Sequence, residues 1–339
     1  MNRSAFRAVA PLVMTLSAGA VLLATFGANP FAFYADVFRF GLADNSWQSS
    51  VTLFTPLILM ALGLLVSFRA GLWNLGYDGQ FIISAVVVAG LGPTIFAVFP
   101  FWVATILLIF LGAIAGMIWA LAPILIKIRN NASEIVTTLV MSFIGIGIAN
   151  LLVRYVFQDP SVLVPQTRVI ANEFLLPYLP GTRVHVGIIF ALILYALGYL
   201  LLTKTSVGVR LDVLAAGLKT AKHLGINTSL ALLLVFLISG GLVGVAASVD
   251  VLGVWGYVRT DFNPAYGIAV IPLVLMAGRN PLLALPLIGF YSIIATGTTV
   301  AAGNAGIAVD LILVLISLLL GSVAITEWML KRGFRWLKS

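Results

Sequence analysis

The sequence predicts an all-α, polytopic membrane protein of about ten transmembrane helices, arranged as a two-fold inverted repeat of five. Three observations carry this prediction. Of 339 residues, 61% are apolar and only 9% are charged, whereas a soluble domain carries about 25% charged residues. With a mean hydropathy of +1.14, a water-soluble globule could not cover its apolar surface without large exposed patches. The apolar residues fall into runs close to the ~20 residues that a helix needs to cross hydrocarbon. Finally, two polar interruptions occupy corresponding places in the two halves of the chain.

The runs are 8–28, 51–68, 81–98, 102–122, 135–157, 184–203, 229–249, 264–278, 282–301 and 307–326, the eighth being short. Arg3 and Arg7 precede the first run in the manner of a signal peptide. Its length and the lack of a small-x-small cleavage pattern read instead as a retained helix. With the N-terminus inside and ten spans alternating, the inside segments hold Arg3, Arg7, Arg69, Arg129, Arg210, Arg279, Arg332, Arg335 and every lysine. The outside segments hold Arg39, Arg154, Arg168, Arg183 and Arg259. The positive-inside rule therefore places both termini in the cytoplasm. The same rule explains the net charge of +8 better than nucleic-acid binding does. The larger outside loops, 29–50 and 158–183, are too short for a soluble domain, so another polypeptide would receive substrate on that face.

Cysteine is absent, and His185 and His223 are the only histidines. Disulfides, thiol nucleophiles and cysteine metal sites are excluded, and neither a metal nor a cofactor is expected.

Irregular backbone at membrane depth needs a protein-lined or watery cavity. Residues 69–80 and 250–263 are two such stretches. Each follows the second helix of a five-span half, and Gly71/Trp73 and Gly253/Trp255 share a Gly-x-Trp pattern. Duplicating five spans inserts the halves with opposite topology, and interrupted helices then flank a central path. Trp73, Asn74, Tyr77, Gln80, Trp255, Tyr257, Asn263 and Tyr266 supply amide, hydroxyl and aromatic groups along such a path. Equally, Trp and Tyr mark membrane interfaces. Asp78 suits the cap of a helix starting near Gly79, where the dipole favours an acid. Substrate contact is its other reading. Ser133 and Glu134 open the fifth span with ordinary helix-start chemistry. Asp250 and Asp310 lie near span ends. The segment Glu327–Trp336 suits an anchor at the inner-leaflet headgroups.

The longest inside loop, 204–227, carries a stripe at helical spacing: Leu211, Leu214, Leu218, Ala221 and Leu224. Arg210, Lys219 and Lys222 fall largely off the stripe, and Gly225 is placed as a C-cap. The pattern fits a helix lying on the lipid surface or one docking into a cytoplasmic subunit.

The stretch Ala215-Ala-Gly-Leu-Lys-Thr-Ala-Lys-His-Leu-Gly-Ile-Asn227 resembles the coupling segment of ATP-binding-cassette (ABC) importer permeases, the branched-chain amino acid, ribose and nucleoside group. Three further stretches resemble the same family, particularly its nucleoside and simple-sugar branch. They are Phe68-Arg-Ala-Gly-Leu-Trp-Asn-Leu-Gly-Tyr-Asp-Gly-Gln-Phe81, Ala132-Ser-Glu-Ile-Val-Thr-Thr-Leu-Val-Met141, and Gly267-Ile-Ala-Val with Ala277-Gly-Arg-Asn-Pro281. Tyr77 stands where the family more often has a small residue, and Asp78 where Glu is commoner. The resemblance implies one permease domain over 1–339, with half-repeats at roughly 8–157 and 184–326 and a coupling segment at 204–227. It implies a bacterial inner-membrane location and inward transport of nucleosides or a simple sugar. An ABC ATPase subunit would engage Leu214, Gly217, Leu218, Ala221, Leu224 and Gly225. An extracytoplasmic substrate-binding protein and a second permease subunit, the same chain or a homologous one, complete the implied partners.

The chain contains no Gly-x-x-x-x-Gly-Lys-Ser/Thr loop, so ATP hydrolysis by that route belongs to a partner. Neither His-Glu-x-x-His nor Gly-x-Ser-x-Gly occurs, which argues against an intramembrane enzyme. The alternative is an ion-coupled secondary transporter of a small polar metabolite, which predicts acids deep in the bundle and no dedicated docking helix.

Overall fold

The structure, a computed structural model, describes residues 3–43, 45–308 and 311–332. It is all-α, with no strand among the described residues. In chain order the helices are α1 (Arg3–Thr25), α2 (Pro30–Leu42), α3 (Ser46–Arg69), α4 (Tyr77–Val98), α5 (Phe101–Asn130), α6 (Glu134–Leu151), α7 (Gly187–Lys204), α8 (Ser206–Ala216), α9 (Leu218–His223), α10 (Thr228–Asp250), α11 (Tyr266–Met276), α12 (Pro281–Asn304) and α13 (Leu311–Arg332). π-helical turns extend α6 through Leu152–Val156 and α10 through Val251–Trp255. Asp310 and residues 333–336 of the expected C-terminal anchor lie outside the described residues.

Among the described residues, eight helices are long and apolar enough to cross a membrane, or nine if a bent pair at the N-terminus is one span. Two local features lower the expected ten. The eighth run folds as α11, whose 11 residues reach about 16 Å at 1.5 Å per residue, roughly half of a bilayer core. The first run is only part of a broken element: Val9–Thr25 and Pro30–Leu42 are bent by 117°. Much of the expected loop 29–50 is therefore helix. Asn29 caps α2 by accepting from the N–H groups of Phe31 (3.0 Å) and Ala32 (3.3 Å). Pro30 follows at the first helical position, where its missing N–H costs nothing.

The chain forms two compact units, Met1–Phe54 with Ala269–Ser339, and Thr55–Ile268. In the first unit α2 packs on α12 and α1 on α13. Glycine permits the close approach: a Cβ on Gly41 would lie 2.8 Å from the Ile293 Cγ2, and one on Gly297 3.0 Å from the Val37 Cα. Thr15 and Ser322 join α1 to α13 through their hydroxyls at 3.1 Å.

In the second unit α10 packs along α5, and α4 packs against α5, α6 and α10. The α5–α10 contact is a pair of small-residue ridges, Gly112/Gly116 against Gly240/Gly244. A Cβ on Gly240 would stand 2.6 Å from the Gly116 carbonyl oxygen, and one on Gly112 3.0 Å from that of Gly244. In lipid, helices gain little from excluding water, and association rests on close backbone packing of this kind. The expected loop 158–183 is stitched to the segment after α10: Thr167 N–H donates to Val258 C=O (2.9 Å), Ile170 to Gly256 (2.9 Å) and Leu176 to Leu252 (2.8 Å).

His185, just before α7, is fully buried and packs against Gly187 and Gly253. Neither ring nitrogen has a hydrogen-bond partner. Burial depresses its pKa from 6.5 to about 4. The folded state thus binds this proton less readily than the unfolded chain. Its contribution to stability is present above pH 6.5 and is lost as pH falls toward 4, by at most ~1.4 kcal/mol per pH unit. A His185→Phe variant is expected to show a flatter decline of unfolding temperature between pH 6.5 and 4 than the unmodified protein.

Candidate functional site

The first interruption begins at the C-terminus of α3. The chain leaves the helix at Ala70, takes a left-handed turn at Gly71 (φ 74°), and runs without helical bonds to Tyr77, where α4 starts. Its polar groups pair with two neighbouring helices, α6 and α10, and with the first turn of α4. Thr138 Oγ1 of α6 accepts from the Leu75 N–H (3.1 Å), and Ser142 Oγ accepts from the Gly79 N–H (2.9 Å). Asn74 and Gln80 form a reciprocal amide pair at 3.1 and 3.3 Å. Asn74 also accepts from the Gly76 N–H (3.1 Å) and donates to Ser239 Oγ of α10 (3.2 Å). The Tyr77 hydroxyl meets the same Ser239 at 2.8 Å. All of these side chains are buried, with Asn74, Tyr77 and Ser239 at 0% exposure.

Ser142 lies eight residues into α6 and Ser239 eleven into α10, about 12 and 16 Å from those helix starts. This is irregular backbone well inside the bundle, supported by internal pairing of its buried polar side chains. Asn74, Tyr77 and Gln80, expected along the path, form the closed scaffold of the interruption here. Ser239, Thr138 and Ser142 complete it, and sequence reasoning missed all three. A serine or threonine in an apolar helix also satisfies itself on the i−4 carbonyl, as Ser84 and Ser248 do, so residue type alone does not single them out.

Asp78 occupies the first turn of α4, but it does not bond that helix's own end. Gly76 is the N-cap of α4 and makes no side-chain cap bond. Asp78 Oδ1 instead accepts from the Gly267 N–H of α11 at 2.8 Å, and the Ile268 N–H also donates to the carboxyl. One part-buried carboxyl thus serves the N-termini of two helices, each of which favours negative charge. The two interruptions meet here: a Cβ on Gly267 would stand 2.7 Å from both Asp78 Oδ1 and Tyr77 Cβ, and the Tyr266 ring packs edge-on to Phe81 at 5.3 Å.

The second interruption passes from the π-helical turn through Gly256 to α11. Trp255 Nε1–H donates to Asp250 Oδ2 (2.8 Å), and its ring meets Phe262 edge-on at 5.1 Å. Asn150 accepts from the Asp261 N–H (2.9 Å). Asn263 is exposed and caps its own turn through the Ala265 N–H (2.9 Å), while Tyr257 is half-buried. Trp73 and Trp255 keep 37% and 41% of their surface. Of the expected path residues, the structure gathers Asn74, Tyr77 and Gln80 into one cluster and leaves Trp73, Trp255, Tyr257 and Asn263 outside it.

The segment 204–227 is two short helices rather than one. The expected stripe runs through Gly217, but Gly217 has φ 149° and ψ 140°, a conformation open to glycine alone, and it separates α8 from α9. Leu211, Leu214 and Ala221 are buried, whereas Leu218 and Leu224 remain 41% and 65% exposed. Gly225 closes α9 with paired bonds, Gly225 N–H to Lys222 C=O and Ile226 N–H to Ala221 C=O, both 3.0 Å. Ser133 sits at the N-cap of α6 without a side-chain bond, and Glu134 pairs with Lys127 at 2.6 Å, fastening α5 to α6.

No metal-ligating cluster of His, Cys, Asp or Glu occurs among the described residues. An all-α membrane bundle with two interrupted segments laced together at depth is the architecture of a membrane transport component. The family profile described as branched-chain amino acid transport system, permease component, matches residues 47–324, and the chain belongs to this family. The glucose ABC transporter permease of Haloferax volcanii is 28% identical over 92% of this chain and 86% of its own. The guanosine ABC transporter permease of Bacillus subtilis is 25% identical over 92% and 91%. The nucleoside ABC transporter permease of Lactococcus lactis subsp. cremoris is 23% identical over 96% and 93%.

Proposed function

We propose that this chain is the transmembrane subunit of an ABC importer and moves nucleosides, or a simple sugar, inward by alternating access. The observation that carries the reading is near full-length similarity to permeases named for guanosine, nucleosides and glucose. The exposed Leu218 and Leu224 of the α8–α9 segment fit it, since they offer apolar surface to a separate ATPase subunit. An extracytoplasmic binding protein delivers substrate, a second permease subunit completes the path, and the assembly sits in a bacterial inner membrane with both termini cytoplasmic.

The test is uptake of radiolabelled nucleosides and hexoses by liposomes holding the permease, its cassette subunit and its binding protein. Uptake is expected to require ATP inside and to survive collapse of the proton gradient. Uptake that runs without ATP and stops with the gradient would establish the ion-coupled alternative.

A further inference from the structure

The start of the first interruption is bound to the α8–α9 segment through one side chain. Arg69, the last residue of α3, forms a bidentate pair with Asp212 of α8, Nε to Oδ1 at 2.9 Å and Nη2 to Oδ2 at 2.8 Å. Its Nη1 also donates to the Leu202 carbonyl in the last turn of α7, one of the carbonyls a helix end leaves unsatisfied. Three elements therefore converge on one guanidinium. The surrounding backbone is cut to fit. A Cβ on Gly208 of α8 would collide with the Leu202 carbonyl and approach Arg69 Cζ to 3.3 Å, and one on Gly71 would stand 3.0 Å from Ala215 Cα.

We infer that Arg69 and Asp212 are a positioning pair that transmits displacement of the α8–α9 segment to the interrupted segment 70–76. The inference rests on the proposed ABC reading, in which α8–α9 engages the ATPase. The side chains retain 21% and 54% of their surface, so the pair adds little to stability. Its two-point planar geometry instead fixes direction, so a shift of α8 draws Arg69 along a set line. From Arg69 the route is short. Five residues on, Asn74 holds Gln80 and Ser239, and Tyr77–Asp78 holds the N-terminus of α11. A shift of α8 thereby reaches the junction of the two interruptions through bonded groups.

The experiment measures substrate moved per ATP hydrolysed in liposomes containing the full complex. Arg69→Ala and Asp212→Ala are each expected to lower that ratio, roughly two- to thirtyfold for a residue on a coupling route, while ATP hydrolysis continues. The reversed pair, Arg69→Asp with Asp212→Arg, is expected to recover much of the ratio. Because the chain has no cysteine, an Arg69→Cys, Asp212→Cys variant joined by a short bifunctional thiol reagent supplies a second arm. Cross-linking is expected to raise the ratio above that of the unlinked variant. A merely structural pair would change the amount of folded complex and leave the ratio intact. An unchanged ratio in both alanine variants, with the unmodified complex coupling normally, overturns the positioning role alone. Failure of the unmodified complex to couple uptake to ATP overturns the ABC reading and this inference together.

Discussion

Asp78→Ala is expected to lower the thermal unfolding temperature of the detergent-solubilised protein and to abolish uptake. The alanine leaves the Gly267 and Ile268 N–H groups without their shared acceptor, at about 1–3 kcal/mol per unsatisfied donor. An ordinary interhelical hydrogen bond in a membrane averages only about 0.6 kcal/mol. The difference arises because the first N–H groups of a helix have no intrahelical acceptor. Asp78→Asn keeps one carbonyl acceptor of similar shape and is expected to lose clearly less. An alanine variant matching the unmodified protein in both unfolding temperature and uptake would show that the carboxyl does not hold α11.

Gly116→Leu should be still more damaging. Its side chain would enter space filled by the Gly240 carbonyl group and the Gly244 nitrogen, both already 3.1 Å or less from an ideal Cβ at Gly116. Overpacking a tight core typically costs about 1–3 kcal/mol. Here the obstruction is backbone, which cannot rotate aside, so the upper end or more is expected, together with loss of folded protein in size-exclusion chromatography. Gly147→Leu in α6 is the control. Nothing lies within 4 Å of an added Cβ there, and the same change is expected to leave unfolding temperature and elution unchanged. Equal behaviour of the two variants would mean that the α5–α10 approach is not what holds this unit.

Some of this was legible along the chain because its physical cause is local. Hydropathy over twenty residues identifies a span whatever surrounds it, so α3 through α7, α10 and α12 fall close to their expected positions. The polar stretch after Arg69 announces an interruption by its composition alone. Gly225 was readable as a helix end because the paired closing bonds there need only adjacent residues.

Other features failed for equally physical reasons. The bend at Gly27–Asn29 depends on where α2 finds its packing partner, and aromatic residues with a proline read as loop when that partner is unknown. Gly217 interrupts a stripe that hydrophobic spacing would carry straight through it, because spacing does not report φ. Asp78 does lie in the first turn of its own helix, but the nearest N-terminus in the sequence was not the one it bonds. The acceptor was needed 189 residues away.

By itself the sequence determined that this protein lives in a bilayer, that it is built of helices, and that its polar interruptions follow α3 and α10. Those properties follow from the cost of placing apolar groups in water and unpaired backbone in lipid, a cost counted residue by residue. Only the tertiary structure decided that the two interruptions meet at Asp78, that Asn74, Tyr77 and Gln80 close on Ser239, and that Arg69 ties the first of them to α8. Each is a pairing of distant groups. A hydrogen bond has a direction and a length of about 3 Å, and no single segment specifies both of its ends.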